Sequence, residues 1–135
     1  MDKVNGWNVE NCPVTATMAI IGGKWKILII FLIYNEINRF GKMNMVLKDI
    51  SKQMLTTQLR ELENDGIIKR IIYPEIPPRV EYFLTEKGKS LLPIIDLMRD
   101  WGYEHLIPAH PIKKKALAQS ALSRYFKIPG RTTRP

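Results

Sequence analysis

The first third of the chain carries two apolar blocks that are separated by Gly22 and Gly23. Pro13 suits the start of a helix that runs to about Ile21, because proline lacks the N–H that would have no partner there and its φ is already helical. The second block, residues 25–34, is nearly continuously apolar, and its β-branched residues would suit a strand. Its ten-residue length after a glycine stop favours a buried helix instead.

The most regular amphipathic pattern in the chain begins at Ser51 and ends before Gly66. Leu55, Leu59 and Leu62 stand at i, i+4 and i+7, which places them on one face of a helix. Ser51 can cap the first turn with its hydroxyl, and Gly66 can end the last turn. We therefore predict a helix with an apolar stripe and a polar remaining surface.

Shorter elements flank this helix on both sides. An extended piece at Arg39 and Phe40 leads into a small helix over about residues 42–47. Residues 67–73 and 80–84 are predicted as strands, because β-branched and aromatic residues are frequent there. The connector PEIPPR is too rich in proline for a sheet ladder, so it predicts a projecting loop between the two strands.

The last helix is predicted to run from Glu86, with Thr85 as its cap, to about His105. Pro93 lies inside this pattern and predicts a kink rather than a break. Apolar side chains cover more of the surface than one core-facing stripe requires, namely Leu91, Leu92, Ile94, Ile95, Leu97, Met98 and Trp101. We expect part of this surface to meet a second copy of the chain.

The order of the predicted elements is that of a winged helix-turn-helix. This is an α+β fold that is mainly α, with a two-stranded wing and flanking dimerisation helices. A chain of 135 residues with 45% apolar content can form one domain with a real core. We place that domain at residues 1–110 and a basic C-terminal tail at residues 111–135.

The positive charge of the chain is concentrated in this tail. Residues 1–110 hold 14 Lys and Arg against 13 Asp and Glu, whereas residues 111–135 hold seven Lys and Arg and no acid. Such an excess attracts polyanions in general, although a basic tail is often simply solvated. The segment IKKKALAQSALSRYFKI is also weakly amphipathic, which leaves open a protein-interaction or membrane-surface module.

The remaining composition narrows the cellular setting. No apolar run approaches the roughly 20 residues that a membrane span needs, and the first residues lack the layout of a secretory signal. We expect a cytoplasmic protein with no membrane partner. The single cysteine cannot form a disulfide within the chain, so a disulfide would join two chains or capture a small thiol.

The polar surface of the helix after Ser51 has the chemistry of a DNA major-groove reader. Lys and Arg can donate to guanine, Gln can pair with adenine, and Thr offers a hydroxyl and a methyl group. Exposed helix faces are normally polar as well, so periodicity alone does not separate readout from solvation. The proline-rich loop presents Arg79 for a phosphate or a minor groove, although proline-rich turns are also ordinary surface loops. RNA is less favoured, since no platform of exposed aromatic residues is evident.

Five motifs stand in a fixed order over about residues 11–105: CPV, IGGKWK, RF, ISKQMLTTQLRELENDGII and YPEIPPRVEYFLTEKG. Together they resemble the HxlR-type transcriptional regulators of prokaryotes, which are related to the MarR winged-helix group. The resemblance implies a homodimer that binds a pseudo-palindromic operator in double-stranded DNA, without enzymatic activity or a cofactor. It also implies that residues 51–63 are the recognition helix and residues 67–84 the wing.

The resemblance and the side-chain chemistry together give two sets of candidate residues. The candidate DNA contacts are Lys24, Arg39, Ser51, Lys52, Gln53, Thr56, Thr57, Arg60 and Arg79. The candidate dimer contacts, on the first and last helices, are Pro13, Ile94, Ile95, Met98 and Trp101. For Lys24, at a helix start, simple solvation is the commoner alternative to a phosphate contact.

Cys12 directly precedes Pro13 at the predicted start of the first helix, where the positive end of the macrodipole favours thiolate over thiol. It is either a small packing residue or, as the resemblance implies, a sensor of oxidants or electrophiles. His105 and His110 lie far away in sequence, so no partner for a cysteine hydrolase is visible. The same scarcity of ligands argues against zinc.

Overall fold

The computed structural model describes residues 6–107, and these fall into two compact units, one up to Gly88 and one from Lys89 onward. The elements are a 3-10 turn at Val9–Asn11, helices α1 Pro13–Ile21, α2 Lys26–Tyr34, α3 Phe40–Val46 and α4 Lys52–Asn64, strands β1 Ile68–Tyr73 and β2 Arg79–Leu84, and helices α5 Glu86–Lys89 and α6 Leu92–His105. The predicted basic tail and His110 lie outside the described residues.

Helices α1 and α2 follow the two apolar blocks of the sequence. Helix α1 begins at Pro13 and ends before Gly22, as predicted. Helix α2 confirms the helical interpretation of the second block and begins at Lys26. Ile29 and Ile30 are fully buried within it. A helix that is buried on most of its surface has few positions for polar residues, which explains why no simple stripe is visible in the sequence.

Helix α3 begins at Phe40, two residues before the predicted start. Arg39 is extended, with φ −112° and ψ 146°, and serves as the N-cap. The predicted extended piece is therefore confirmed for Arg39 and wrong for Phe40. The preceding loop reaches the sheet through Asn38, whose carbonyl accepts the N–H of Tyr82 at 2.9 Å and whose Nδ2 donates to the Tyr82 carbonyl at 3.1 Å.

Helix α4 has the predicted cap and the predicted buried face. The hydroxyl of Ser51 accepts the N–H of Met54 at 3.0 Å. Leu55, Leu59 and Leu62 are almost completely buried, and α4 packs against α2, α3 and β1. Each buried leucine contributes roughly 2 kcal/mol relative to an exposed one. The stripe therefore determines which side of α4 faces solvent.

The wing is an antiparallel hairpin in which Tyr73 lies opposite Arg79 at the loop end. Each strand differs from the predicted bounds by one residue. Gly66 has φ +74°, which lets the chain turn from α4 into β1 without strain. Residues 74–78 form the predicted projecting loop between the strands.

The predicted kink at Pro93 is wrong, because the helix is broken there. Helix α5 ends at Lys89 and helix α6 begins at Leu92. Proline has no N–H to donate, and its ring clashes with the carbonyl four residues earlier, so it fits the first turn of a new helix. Thr85 caps α5 as predicted, since its hydroxyl accepts the N–H of Gly88 at 3.0 Å.

The architecture is the predicted winged helix-turn-helix, α+β and mainly α. Helices α3 and α4 form the helix-turn-helix pair, and β1 and β2 form the wing. No single described helix is long and apolar enough to cross a membrane; α1 and α2 pass that test only as a pair, and the pair is bent by 72° at its break.

Candidate nucleic-acid interface and thiol site

Helix α4 turns most of the predicted DNA contacts toward solvent. Four of them are exposed and one is half-buried: Lys52, Gln53, Thr57 and Arg60, and then Thr56. Lys26 of α2 restrains the helix through Glu61, because its Nζ lies 2.7 Å from Oε1 of Glu61 and its side chain is only 9% exposed. Sequence reasoning missed this pair, although a lysine inside an otherwise apolar block was a signal that it needed a partner.

The two threonines of α4 present acceptors and methyl groups rather than donors. The Thr56 hydroxyl donates to the Lys52 carbonyl at 2.8 Å, and the Thr57 hydroxyl donates to the Gln53 carbonyl at 3.0 Å. Each oxygen keeps a lone pair that can accept from adenine or cytosine, and each methyl suits the thymine methyl. Lys52, Gln53 and Arg60 supply the donors of this face.

Arg79 does not lie within the proline-rich loop, as was predicted, but at the first position of β2, opposite Tyr73 at the loop end of the wing. Its Nη2 lies 2.8 Å from Oε2 of Glu75, its Nη1 lies 2.9 Å from Oε2 of Glu81, and its guanidinium lies 3.7 Å from the ring centroid of Tyr73. Hydrogen bonds to the two carboxylates, first to Glu75, raise the pKa of Arg79. The loop exposes the Ile76 side chain completely, and the Glu75 side chain is 52% exposed. The loop itself therefore offers no cation, and the adjacent Arg79 is already paired.

Glu81 also binds Arg39, the N-cap of α3. The Arg39 Nη2 and Nε atoms lie 3.3 Å and 3.4 Å from the same Oε2 atom that accepts from Arg79. Hydrogen bonding to Arg79, and then to Arg39, lowers the pKa of Glu81. A shallow cavity of about 540 Å³ opens beside this group, lined by Glu36, Asn38, Arg39, Gly41, Lys42 and Glu81.

Other cations of the first unit lie near the predicted contacts or extend them. Lys24 is exposed, and its Nζ lies 4.7 Å from the ring centroid of Trp25. Lys42 of α3 and Lys69 and Arg70 of β1 are exposed as well. These three residues were not among the DNA contacts predicted from the sequence. Each lies in an element that packs against α4. They add three exposed cations to the elements that contact α4.

Cys12 occupies the N-cap position of α1 as predicted, with φ −81°, ψ 121° and a half-buried side chain. The turn before it is held by two asparagines: the Asn8 side chain accepts the Asn11 N–H at 3.0 Å, and the Asn11 side chain accepts the Asn8 N–H at 2.9 Å. This turn lies between Cys12 and Trp7, whose indole hydrogen-bonds to the sulfur. Trp7 therefore acts directly on the thiol.

The surroundings lower the pKa of Cys12 from 9.0 to about 7. The backbone N–H of Thr15 in the first turn of α1 contributes most, and the Trp7 side chain comes next, because hydrogen bonds to sulfur favour the charged form. A large fraction of the thiol is therefore thiolate at neutral pH, which is the nucleophilic form. Within residues 6–107, no group of three or more His, Cys, Asp or Glu side chains is placed to hold a metal ion.

Both helices that were predicted to build a dimer carry exposed apolar surface. On α1, Val14 is 69% exposed. On α6, the predicted contacts Ile94, Met98 and Trp101 are exposed, and Pro13 is exposed at the start of α1. Ile95 differs, because it is only 6% exposed and is already buried within the single chain. The sequence showed apolar residues around most of α6 and did not reveal which of them face inward.

Comparisons with known proteins agree with this architecture. Residues 20–110 match the family model described as HxlR-like helix-turn-helix. The chain is 47% identical over 96 residues to the HTH-type transcriptional regulator YdeP of Bacillus subtilis (strain 168). The aligned residues cover 71% of this chain and 75% of YdeP.

Two solved structures are similar in both fold and sequence. The redox regulator HypR in its oxidized form has a TM-score of 0.66 at 44% identity, covering 70% of this chain and 97% of the HypR chain. The reduced form of the transcriptional regulator YodB from B. subtilis has a TM-score of 0.62 at 33% identity, covering 73% and 98%. The family match spans more than half of the chain, and α3, α4 and the hairpin supply the fold that it requires. The chain therefore belongs to the HxlR family of helix-turn-helix transcriptional regulators.

Proposed function

We propose that this regulator is a homodimer that binds a pseudo-palindromic operator in double-stranded DNA and reads its sequence with α4. The observation that carries the proposal is the exposed polar face of α4, whose direction is fixed by the buried leucines on the other side. Lys52, Gln53 and Arg60 supply donors, and the threonines supply acceptors and methyl groups, for base edges in a major groove. Ser51 contributes by capping the helix that carries them.

The homodimer is supported by the exposed apolar side chains of α1 and α6, which a second copy would remove from water. A two-fold axis would present two copies of α4 to successive major grooves about 34 Å apart. The operator would then consist of two similar half-sites in opposite orientation, because closed dimers use the same surface on both subunits.

We propose Cys12 as the sensor of oxidants or electrophiles, with its role as a mere packing residue as the alternative. The support is a half-buried thiol with a pKa of about 7. HypR, which resembles this chain, is described as a redox regulator. An electrophile would add to the Cys12 thiolate. An azo oxidant such as diamide would take two electrons and two protons from two thiols, becoming the hydrazine and joining Cys12 to the partner subunit's Cys12.

The thiol would act on DNA through the spacing of the two α4 helices. A modification at the start of α1, near a seam between subunits, would tilt the subunits relative to each other. A shift of a few ångströms would mismatch two half-sites that lie one helical turn apart. DNA affinity would then change without any change in the residues that contact the bases.

Fluorescence anisotropy on the duplex upstream of the protein's own gene tests both parts of this proposal. We expect salt-dependent binding and a large, thiol-reversible change in affinity after diamide. Cys12→Ser is expected to bind like the reduced protein and to ignore diamide. Failure to bind any candidate operator would contradict the DNA-binding part, and a diamide response that survives in Cys12→Ser would contradict the sensor part.

We further propose that the protein works in the cytoplasm, as a non-enzymatic regulator of genes adjacent to its own. Its relatives are named transcriptional regulators. The division into a domain at residues 1–110 and a basic tail at residues 111–135 remains a prediction. Deleting residues 111–135 tests it, because operator choice is expected to survive the deletion, whereas any binding to anionic vesicles is expected to disappear.

A further inference from the structure

Two arginines of the first unit converge on one carboxylate oxygen. Arg79 approaches Oε2 of Glu81 from the start of β2 at 2.9 Å, and Arg39 approaches it from the N-cap of α3 at 3.3 Å. The Glu81 side chain is 16% exposed, whereas those of Arg39 and Arg79 are 57% and 30% exposed. The carboxylate therefore lies beneath two cations that still reach solvent.

The carboxylate of Glu81 offers the two arginines the same kind of acceptor that a DNA phosphate would offer them. Guanidinium groups form charge-assisted hydrogen bonds with carboxylate and phosphate oxygens in the same geometry. Within the described residues, Lys52 and Arg60 of α4 make no ion pair, so the α4 cations are available to DNA while Arg39 and Arg79 are engaged. Lys42 lines the same cavity as Arg39 and Glu81, which adds a third cation at this position.

We propose that Glu81 is an internal competitor for DNA phosphate, which holds Arg39 and Arg79 in the free protein and releases them to the DNA backbone only when a phosphate is seated beside α3 and the wing. This inference rests on the proposed DNA-binding function and adds a residue that sets the ratio of specific to non-specific binding. The side chains of Arg39 and Arg79 are 57% and 30% exposed, so a phosphate can reach both guanidinium groups from solvent and replace the carboxylate as their acceptor.

The competition has a direct consequence for specificity. Non-specific binding depends almost entirely on phosphate contacts, whereas specific binding also uses base contacts. Base contacts fix the register of the operator and so seat a phosphate beside α3 and the wing, whereas a random duplex has no fixed register and displaces the carboxylate less often. The carboxylate therefore weakens non-specific binding more than specific binding. Removing it should tighten binding to random duplex by several-fold and make that binding more sensitive to salt.

The test is the salt dependence of binding to a random duplex by the full chain and by Glu81→Gln, measured by anisotropy. Each released arginine that reaches a phosphate is expected to steepen the slope of log K against log salt by about 0.9. We expect the slope of Glu81→Gln to steepen by about 0.9, for Arg39 alone, because Arg79 keeps its pair with Glu75. We also expect the ratio of operator to random-duplex affinity to fall.

Glu75→Gln is the matched control, because it removes the same charge from the wing but frees no arginine completely. Glu75 binds Arg79 alone, and its side chain is 52% exposed. A rise in slope that is clearly larger for Glu81→Gln than for Glu75→Gln supports the inference. Equal changes in the two variants would mean simple removal of negative charge, and they would overturn it.

Arg39→Gln provides a readout that does not depend on changing Glu81. Its side chain is 57% exposed, so the substitution is expected to fold. The inference expects Arg39→Gln to cancel most of the gain of Glu81→Gln in the double variant, and additive effects would overturn it. If the wild-type chain binds its operator but Glu81→Gln gains nothing, the inference fails alone. If the wild-type chain binds no duplex, the proposed function fails and takes the inference with it.

Discussion

Nζ of Lys26 lies 2.7 Å from Oε1 of Glu61 and joins α2 to α4. The lysine side chain is 9% exposed, whereas the glutamate side chain is 49% exposed, so the two partners respond differently to loss of the pair. Loss of Glu61 leaves a buried ammonium without its counter-charge. Loss of Lys26 leaves a carboxylate that water can still reach.

This asymmetry predicts different stabilities for two variants. We expect Glu61→Gln to lower the free energy of unfolding by about 2 kcal/mol, because breaking a buried pair leaves an uncompensated charge. We expect Lys26→Met to lower it by less than about 1 kcal/mol, since pairs with a solvated partner contribute little. Urea unfolding of both variants measures the difference. An equal loss, or a larger loss for Lys26→Met, would contradict this account of the pair.

Substitution by alanine is expected to change the stability of the protein in opposite directions at two glycines of the first unit. A Cβ on Gly88 would lie 2.1 Å from the carbonyl oxygen of Ile67, whereas a Cβ on Gly41 would meet nothing within 4 Å. We expect Gly88→Ala to lower the free energy of unfolding by about 2 kcal/mol or more, as overpacking does. Gly41→Ala should raise it by about 0.5 to 1 kcal/mol, because alanine favours the helix. Thermal unfolding of both variants measures these changes. An unchanged stability of Gly88→Ala would contradict the expected clash and show that α5 can move away from Ile67.

The two glutamines of α4 separate base readout from general helix polarity. Gln53 is exposed on the proposed reading face, whereas Gln58 is half-buried and its Nε2 donates to Sδ of Met54 at 3.3 Å. We expect Gln53→Ala to lose about 1 to 3 kcal/mol of discrimination at one base pair of the operator. Gln58→Ala should leave discrimination unchanged. Binding to a set of operators with single base changes measures this, and equal effects of the two variants would argue against readout by this face.

The thiol of Cys12 is expected to react with iodoacetamide at a rate that follows its thiolate fraction. With a pKa of about 7, the rate should reach half its maximum near pH 7 rather than near the ordinary pKa of 9.0. Trp7→Phe removes one of the hydrogen bonds to sulfur and should move this midpoint to higher pH. A midpoint that stays above pH 8 in the wild-type chain would contradict the low pKa, and with it the main support for the sensor.

Much of the fold could be predicted because local patterns determine it. The leucine stripe, the Ser51 cap and Gly66 gave α4 its correct bounds within two residues, and the prolines after Tyr73 gave the wing loop. Pro93 misled because its effect depends on where the helix begins. In mid-helix it kinks the chain, whereas in a first turn it starts a new helix, and the surrounding apolar pattern is the same in both cases.

The site was harder to predict, because its decisive features join residues that are distant in sequence. Arg79 lies in the wing as predicted, but its pairing with Glu81, and the sharing of Glu81 with Arg39, depend on the register of the hairpin and the position of α3. The pKa of Cys12 was predicted in direction from the helix start. The contribution of Trp7 depends on the turn at Val9–Asn11, which the sequence did not indicate.

Hydroxyl-radical footprinting of the duplex upstream of the protein's own gene tests the central claim most directly. For the reduced wild-type chain, we predict two protected segments with opposite orientation, whose centres lie about one helical turn apart. The double variant Lys52→Ala and Arg60→Ala should lose both segments at the same protein concentration while it unfolds at the same temperature. A single protected segment, or a footprint that the double variant retains, would contradict a homodimer that reads DNA with α4.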